Sequence, residues 1–440
     1  MGHRRQQHRA AGALAATIVL VVVARLWGLE LLADGVGLKL NAVPWFGRWE
    51  TTMRPVSLVW PVAFAALVVA VGPPIARRTR LAVLLALTGA ASAVWASLLY
   101  LADRPLSLVG EPLEGKFEYL AAVPEVDSPA GFLSGFVDQI ATYPIHVQGH
   151  PPGMVLLLWG LDQLGLGGAT PAAVMILLAA ASTPVAVVLT ARELLSDDVA
   201  RRAAPFLVLT PSAIWVATTA DALFTAVGAW AILLVVLSTR PGRRGAVAFA
   251  VAGGALFALG LHLTYGLAPL GIVPAVVIVT RRAWTTAAAG AAAGAAVVVS
   301  WTAAGFFLLD GLDATSQRYD VGVASNRPYS YFVVANLAVL AVSLGPPAIM
   351  GLASMRRDLA TGAVWAAVVA VVAADVSGLS KGEVERIWLP YVPWITLAAA
   401  CTAIPAVVRV ANRRIDRDRV LLGAQAAVGV VLAAFLRSPW

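Results

Sequence analysis

Residues 55–101 read PVSLVWPVAFAALVVAVGPPIARRTRLAVLLALTGAASAVWASLLYL, two apolar runs joined by the basic stretch ARRTR at 76–80. Each run has the ~18 to 23 residues that a helix needs to cross a hydrocarbon layer of roughly 30 Å. Neither alternates with the period of a membrane barrel, so a helix is the only spanning element left. The same unit, an apolar run closed by a short arginine cluster, recurs from Ala11 to Leu436. The reading is therefore an all-α polytopic membrane bundle. Composition agrees: 60% of the 440 residues are hydrophobic and 13% charged, more apolar surface than one water-soluble core can bury.

Working outward, spans are expected at about 11–30, 55–73, 81–101, 170–190, 204–218, 221–239, 245–262, 265–280, 283–305, 330–350, 359–377, 387–408 and 419–436, about thirteen crossings. The apolar stretch from Pro151 to about Leu166 is read as a re-entrant or interfacial helix, because a full crossing there would invert every later loop. With the basic N-terminus inside, the inner segments hold Arg77, Arg78, Arg80, Arg192, Arg201, Arg202, Arg240, Arg243, Arg244, Arg281, Arg282, Arg356, Arg357, Arg409, Arg413, Arg414, Arg417 and Arg419. The C-terminus then falls outside. A net charge of +8 and a pI near 10 come from these clusters, a topology signal rather than a nucleic-acid surface. The first run, after Arg4, Arg5 and Arg9, reads as a retained anchor rather than a cleaved signal peptide. One cysteine, Cys401, excludes a disulfide framework. Arginine in place of lysine, with abundant alanine and glycine, points to a high-GC bacterial genome and so to a bacterial plasma membrane. No repeat or separate domain divides residues 1–440, and residues 102–168 form an outer-face segment of that single unit.

Polar chemistry collects on the outer face. The longest outer segment, from Asp103 to His150, opens acidic and closes on His150-Pro151-Pro152-Gly153. Helical spacing from Glu114 to Val126 places Glu114, Glu118 and Glu125 near one face, and a carboxylate held at a low-dielectric boundary suits a general base. A solvated acidic helix is the plainer reading of the same residues.

The ordered set of this acidic loop, His150-Pro151-Pro152-Gly153, Thr210-Pro211 with Asp221-Ala222-Leu223-Phe224, and Lys381-Gly382-Glu383-Val384-Glu385-Arg386-Ile387-Trp388-Leu389-Pro390 resembles the membrane glycosyltransferases of the GT-C fold. That superfamily includes the protein mannosyltransferases and aminoarabinose transferases. The resemblance implies an enzyme that moves a sugar from a polyprenyl-phosphate donor to a glycan, lipid or protein acceptor on the outer face, with inversion at the anomeric carbon. It implies a carboxylate base; Glu118, followed by Tyr119, matches an acidic residue followed by an aromatic, with Glu114 beside it. Two departures stand: three spans precede the loop here, and no Asp adjoins the candidate acids, so Asp34 and Glu50 compete by position.

The departing phosphate needs cations in a dry site. Arg386 and Lys381 head that list, with Arg318 and Arg327 of SQRYDVGVASNRPYSY as a second pair and Glu385 in the same motif as Arg386. Interfacial snorkelling or local ion pairing would use the same side chains. Asp221 is read as a sugar ligand or a helix cap, and His150 as an acceptor or phosphate contact or the fixed entry to the helix at Pro152. His262 and Tyr265 are read as cavity-lining groups or ordinary interhelical partners. No zinc spacing appears, and the chemistry calls for no cofactor, a divalent cation on Glu118, Asp221 or His150 being the option left open. A transporter or lipid flippase is the rival class, and a non-catalytic lipid- or partner-binding relative a third.

Overall fold

The computed structural model describes residues 2–52, 54–106, 109–402, 407–410 and 413–440, and the description of side chains omits 2–4 and 403–415, where the expected inner arginines Arg409, Arg413 and Arg414 lie. It is all-α. In chain order the helices are α1 (Gly2–Ala33), α2 (Val59–Arg78), α3 (Leu81–Leu101), the short α4 (Pro129–Gly135), α5 (Ile145–Gln148) and α6 (Gly153–Gln163), then α7 (Ala169–Leu194), α8 (Asp197–Val208), α9 (Ala220–Ser238) and α10 (Ala246–Leu261). They continue as α11 (Ile272–Arg281), α12 (Trp284–Ala303), α13 (Leu308–Val321), α14 (Tyr329–Leu344), α15 (Pro346–Ser354), α16 (Gly362–Val376), α17 (Val384–Ile387), α18 (Val392–Cys401) and α19 (Arg417–Phe435). Two small antiparallel ladders complete the described elements: β1 (Arg48–Trp49) with β4 (Leu436–Arg437), and β2 (Val407–Val410) with β3 (Arg413–Asp416).

Among the described residues seven helices are long and apolar enough to cross a membrane, eight if the bent pair α14–α15 counts as one span. The expected count of about thirteen is not reached on that measure, and the reason is local. Several apolar runs are interrupted by residues that end helices. Positions 204–218 divide into α8 and a 3-10 turn at Pro211–Trp215, because Pro211 has no N–H with which to continue the ladder. Gly345, at φ +76°, precedes Pro346 and Pro347, and α14 and α15 diverge there by 101°. Shorter apolar helices occupy Ala246–Leu261, Tyr265–Arg281, Gly362–Val376 and Val392–Cys401. The run after Pro151 forms α6, eleven residues long. The Glu114–Val126 segment, expected to be helical, instead makes two 3-10 turns, Glu111–Glu114 and Tyr119–Glu125, with Glu118 in extended backbone between them.

Lipid offers apolar side chains no reason to leave it, so close packing and small residues hold such a bundle together. A Cβ at Gly254 of α10 would lie 2.0 Å from the Gly290 carbonyl oxygen of α12, and one at Gly351 of α15 the same distance from that of Ala398 in α18. The backbones touch at both crossings. The centre is filled by Trp95, Trp215, Trp388, Trp394 and Phe206, all buried.

The helices set up two chemically different ends. The C-termini of α2, α7, α9 and α11 and the N-termini of α3, α8, α10 and α12 bring the arginine clusters together, as Arg201 donating to the carbonyls of Ala76 and Thr79, and Arg281 donating to that of Glu193, make explicit. The opposite end receives the Asp103–His150 segment, the first turn of α9, the N-terminus of α14, and α17.

Candidate functional site

At that opposite end, Arg386 is the centre of a buried charge cluster. α17 is a single turn reached through Ser380–Glu383, where Gly382 sits at φ +91° and Glu383 at φ +59°. Only glycine adopts the first conformation without cost, and a Cβ there would lie 3.0 Å from Arg327 Nη1. The left-handed Glu383 aims its carboxylate back at Arg386: Arg386 Nη2 donates to Glu383 Oε2 at 2.8 Å, and Nη1 donates to Asp221 Oδ2 at 2.7 Å. Arg386 is 6% exposed, and the ring of Trp440 covers its guanidinium at 4.8 Å. Trp440 in turn stacks on Phe46, with ring centroids 5.1 Å apart.

Two effects oppose each other on these groups. Burial alone would strip the Arg386 charge, but Asp221 and Glu383 hold the guanidinium above its ordinary range. Burial likewise pushes the Glu383 carboxyl up, and the Arg386 guanidinium bonded to it outweighs that to leave the group below its usual value. Glu385 has no such rescue. It is 1% exposed, accepts one hydrogen bond at Oε1 from the Phe46 N–H (3.0 Å), and has no partner at Oε2. Burial raises its carboxyl to about 8, so it is neutral at pH 7.

His146 links this cluster to Glu118. Its Nδ1 lies 2.9 Å from Glu118 Oε1, and its Nε2 lies 3.3 Å from Arg386 Nη2. A guanidinium only donates, so Nε2 accepts and the ring proton sits on Nδ1, directed at the carboxylate. Glu118 therefore presents a carboxylate oriented from behind by an imidazole, at the half-buried rim of the cluster. His150, one turn on, donates Nδ1–H to the His146 carbonyl at 2.9 Å, and its ring packs against Tyr119 and Phe224. Burial lowers it to about 4, which keeps the imidazole neutral.

A second, cationic half adjoins the first through α5. Gln148, two residues after His146, accepts from Arg318 Nε at 3.0 Å. The Lys381 N–H donates to Tyr319 OH at 2.6 Å, its Nζ donates to the Ala324 carbonyl at 3.2 Å, and Arg327 donates to the carbonyls of Leu38 and Lys381. Arg318, Arg327 and Lys381 thus hold neutral acceptors, whereas Arg386 is neutralised by two carboxylates. Among the described residues these three positive charges have no carboxylate of their own.

The sequence-derived residues sort accordingly. Asp221 meets Arg386 directly, Glu118 joins them through His146, Glu385 lies beside Arg386 and is held by the Phe46 N–H, His150 is tied to the His146 carbonyl, and Arg318, Arg327 and Lys381 form the adjoining half. Glu114 is exposed at the end of its 3-10 turn and makes no ion pair among the described residues. Asp221 makes no capping hydrogen bond in the first turn of α9; its carboxylate goes to Arg386 instead. His262 is fully buried, hydrogen-bonded to the Ala258 carbonyl and laid on Trp301 at 4.3 Å. It and Tyr265 have no hydrogen bond, ion pair or ring contact with the Arg386 cluster among the described residues. No three His, Cys, Asp or Glu side chains converge on a common point there either, since Asp221 is taken by Arg386 and Glu118 by His146.

Sequence reasoning assigned no role to His146, Glu383, Gln148 or Trp440. The IHVQ run with His150 one turn later carried a faint helical signal for His146 and Gln148, and Glu383 lay inside a quoted motif; nothing local marked Trp440.

No family profile matches this chain, and no curated protein does. Among solved structures, ArnT from Cupriavidus metallidurans bound to undecaprenyl phosphate is similar at 15% identity and a TM-score of 0.42, covering 64% of this chain and 58% of that one. The same protein in the apo state is 16% identical at a TM-score of 0.42, covering 70% and 59%. The chain spans less than two thirds of the length of either.

Proposed function

We propose that this chain is a glycosyltransferase of the bacterial plasma membrane that moves a sugar from a polyprenyl-phosphate donor to an acceptor hydroxyl or amine of a glycan, lipid or protein, with inversion. The observation that carries the reading is the juxtaposition of Glu118, a rim carboxylate steered by His146, with three cations that have no carboxylate partner among the described residues. In this reading the site end faces away from the cytoplasm and the arginine end towards it, which the distribution of arginine supports.

The reaction uses both halves at once. The acceptor gives its proton to Glu118 as its oxygen or nitrogen lone pair forms the new bond to the anomeric carbon. The bond from that carbon to the donor's phosphate oxygen breaks on the opposite face, and its electron pair stays on the phosphate. Arg318 and Lys381 offset the charge that grows there, and because their present partners are neutral carbonyl or amide groups, no ion pair must be broken first. Arg386, with both Nη groups committed, acts as a positioning residue that fixes Asp221, Glu383 and His146.

Purified protein in nanodiscs, offered a panel of radiolabelled polyprenyl-phosphate monosaccharides, should consume at least one. Glu118→Gln should lower turnover by about 10²- to 10⁴-fold with folding intact, and Arg318→Ala should reduce it as well. A panel left untouched by wild-type protein counts against the transferase and directs attention to lipid transport in reconstituted vesicles.

A further inference from the structure

The arginine end holds a cleft that the transfer reaction does not use. It encloses a volume of about 560 Å³ and is lined by Arg192, Glu193, Asp197, Arg240, Pro241 and Arg281. Three helix ends define it: the last turn of α7 supplies Arg192 and Glu193, the turn after α9 supplies Arg240 and Pro241, and the last residue of α11 is Arg281. Asp197, in the first turn of α8, closes the side.

Its charges do not balance. Asp197 is held by both Arg192, whose Nε donates at 2.8 Å, and Arg201, and the two arginines keep its carboxyl below the ordinary range. Glu193 Oε1 accepts from Arg240 Nη1 at 3.3 Å. Arg281 donates to Thr239 Oγ1 (3.1 Å) and to the Glu193 carbonyl (2.8 Å), both neutral. The three guanidinium groups of the lining, with Arg201 behind Asp197, thus meet two carboxylates. Among the described residues Arg192 uses only its Nε and Arg240 only its Nη1 on protein acceptors, which leaves the other N–H groups of two exposed side chains open to a ligand.

Neutralising the negative ends of three helices would explain arginines that donate to terminal carbonyls, as Arg281 does. Arg192, in the last turn of α7, also faces that helix's negative end, but neither it nor Arg240 donates to a main-chain carbonyl among the described residues, so their forks are not spent there. Depth supplies the second clue. Trp284, three residues beyond Arg281 at the start of α12, is 59% exposed, the placement of an aromatic at the level of lipid headgroups. A basic cleft between spanning helices at that depth is suited to a headgroup phosphate, which a planar guanidinium grips through two N–H groups.

We infer that this cleft binds the phosphate of an anionic phospholipid, with Arg192 and Arg240 as its principal ligands. A free phosphate compound from the aqueous phase offers the same chemistry from another source, and the test separates the two. Delipidated protein would be titrated with phosphatidylglycerol, with phosphatidylcholine and with inorganic phosphate, bound adducts being counted by native mass spectrometry. Phosphatidylglycerol should be retained over phosphatidylcholine, and Arg192→Ala/Arg240→Ala should weaken that retention about tenfold or more. Arg356→Ala/Arg357→Ala, at the same end but outside the cleft, should not. Should the alanine pair fail to fold, Arg192→Lys/Arg240→Lys keeps the charge and removes the fork, and is expected to weaken retention to a smaller degree. Protection by inorganic phosphate without retention of phosphatidylglycerol would keep the anion site and overturn the lipid. Equal retention in wild type and cleft variants, or equal loss in the Arg356/Arg357 control, would overturn the site itself.

Discussion

At the scale of single residues, the site is governed by which charges are compensated. Arg386 carries a full charge in a dry setting because Asp221 and Glu383 lie within 2.8 Å of it. Removing it strands the buried Asp221 carboxylate and the half-buried Glu383, so Arg386→Met should cost about 3–5 kcal/mol of stability, and Asp221→Asn in the same chain should restore part of the loss. Thermal unfolding midpoints in detergent check both. Glu385 gives the opposite kind of prediction. Its folded carboxyl keeps the proton up to about 8, whereas an unfolded one loses it near 4.5. Between those values the native state binds more protons than the unfolded one, so this group's contribution to stability falls as pH rises and levels off above about 8. Glu385→Gln removes that slope, and the wild-type midpoint should drop relative to the variant from pH 5 to pH 8. Parallel curves would sink the assignment. Glu118 stood out in the sequence as a candidate by its place in an acidic segment expected outside and followed by an aromatic, but its contact with His146 did not, because it joins residues 28 positions apart through a segment of turns.

At the scale of elements, two features of the fold depend on residues that hydropathy treats as neutral. The α10–α12 crossing is set by Gly254 and Gly290, where main chain meets main chain. Gly254→Val should force the helices apart at a cost of about 1–3 kcal/mol, seen as a lower midpoint and poorer yield, while Gly12→Val in α1, which meets nothing within 4 Å, serves as the neutral control. The second feature is the break between α14 and α15. A sequence window across 330–350 reads as one span, because hydropathy averages over Gly345 and the following prolines. The same averaging explains the expected helix at Glu114–Val126: the spacing of its acids was helical, but Gly115 and Pro124 confine it to short turns.

At the scale of the whole molecule, the separation of a charge-rich site end from an arginine end is the organising fact. The proposed orientation predicts that a cysteine introduced at Glu125 reacts with an impermeant maleimide from outside intact cells, whereas one at Arg244 reacts only after the cells are opened, both in a Cys401→Ser background. The reverse pattern would invert the topology. By itself the sequence determined that the chain is an all-helical membrane protein with arginine at one end and most of its chemistry at the other, because both conclusions follow from sums over residues: the length of apolar runs and the sign of charge between them. Only the tertiary structure decided which charges are spent and which are free. In sequence Asp221 and Glu383 look like Glu114, and Arg386 looks like Lys381; they differ in whether the fold places an opposite charge within about 3 Å, the range over which a hydrogen-bonded ion pair in a dry site outweighs the cost of leaving water.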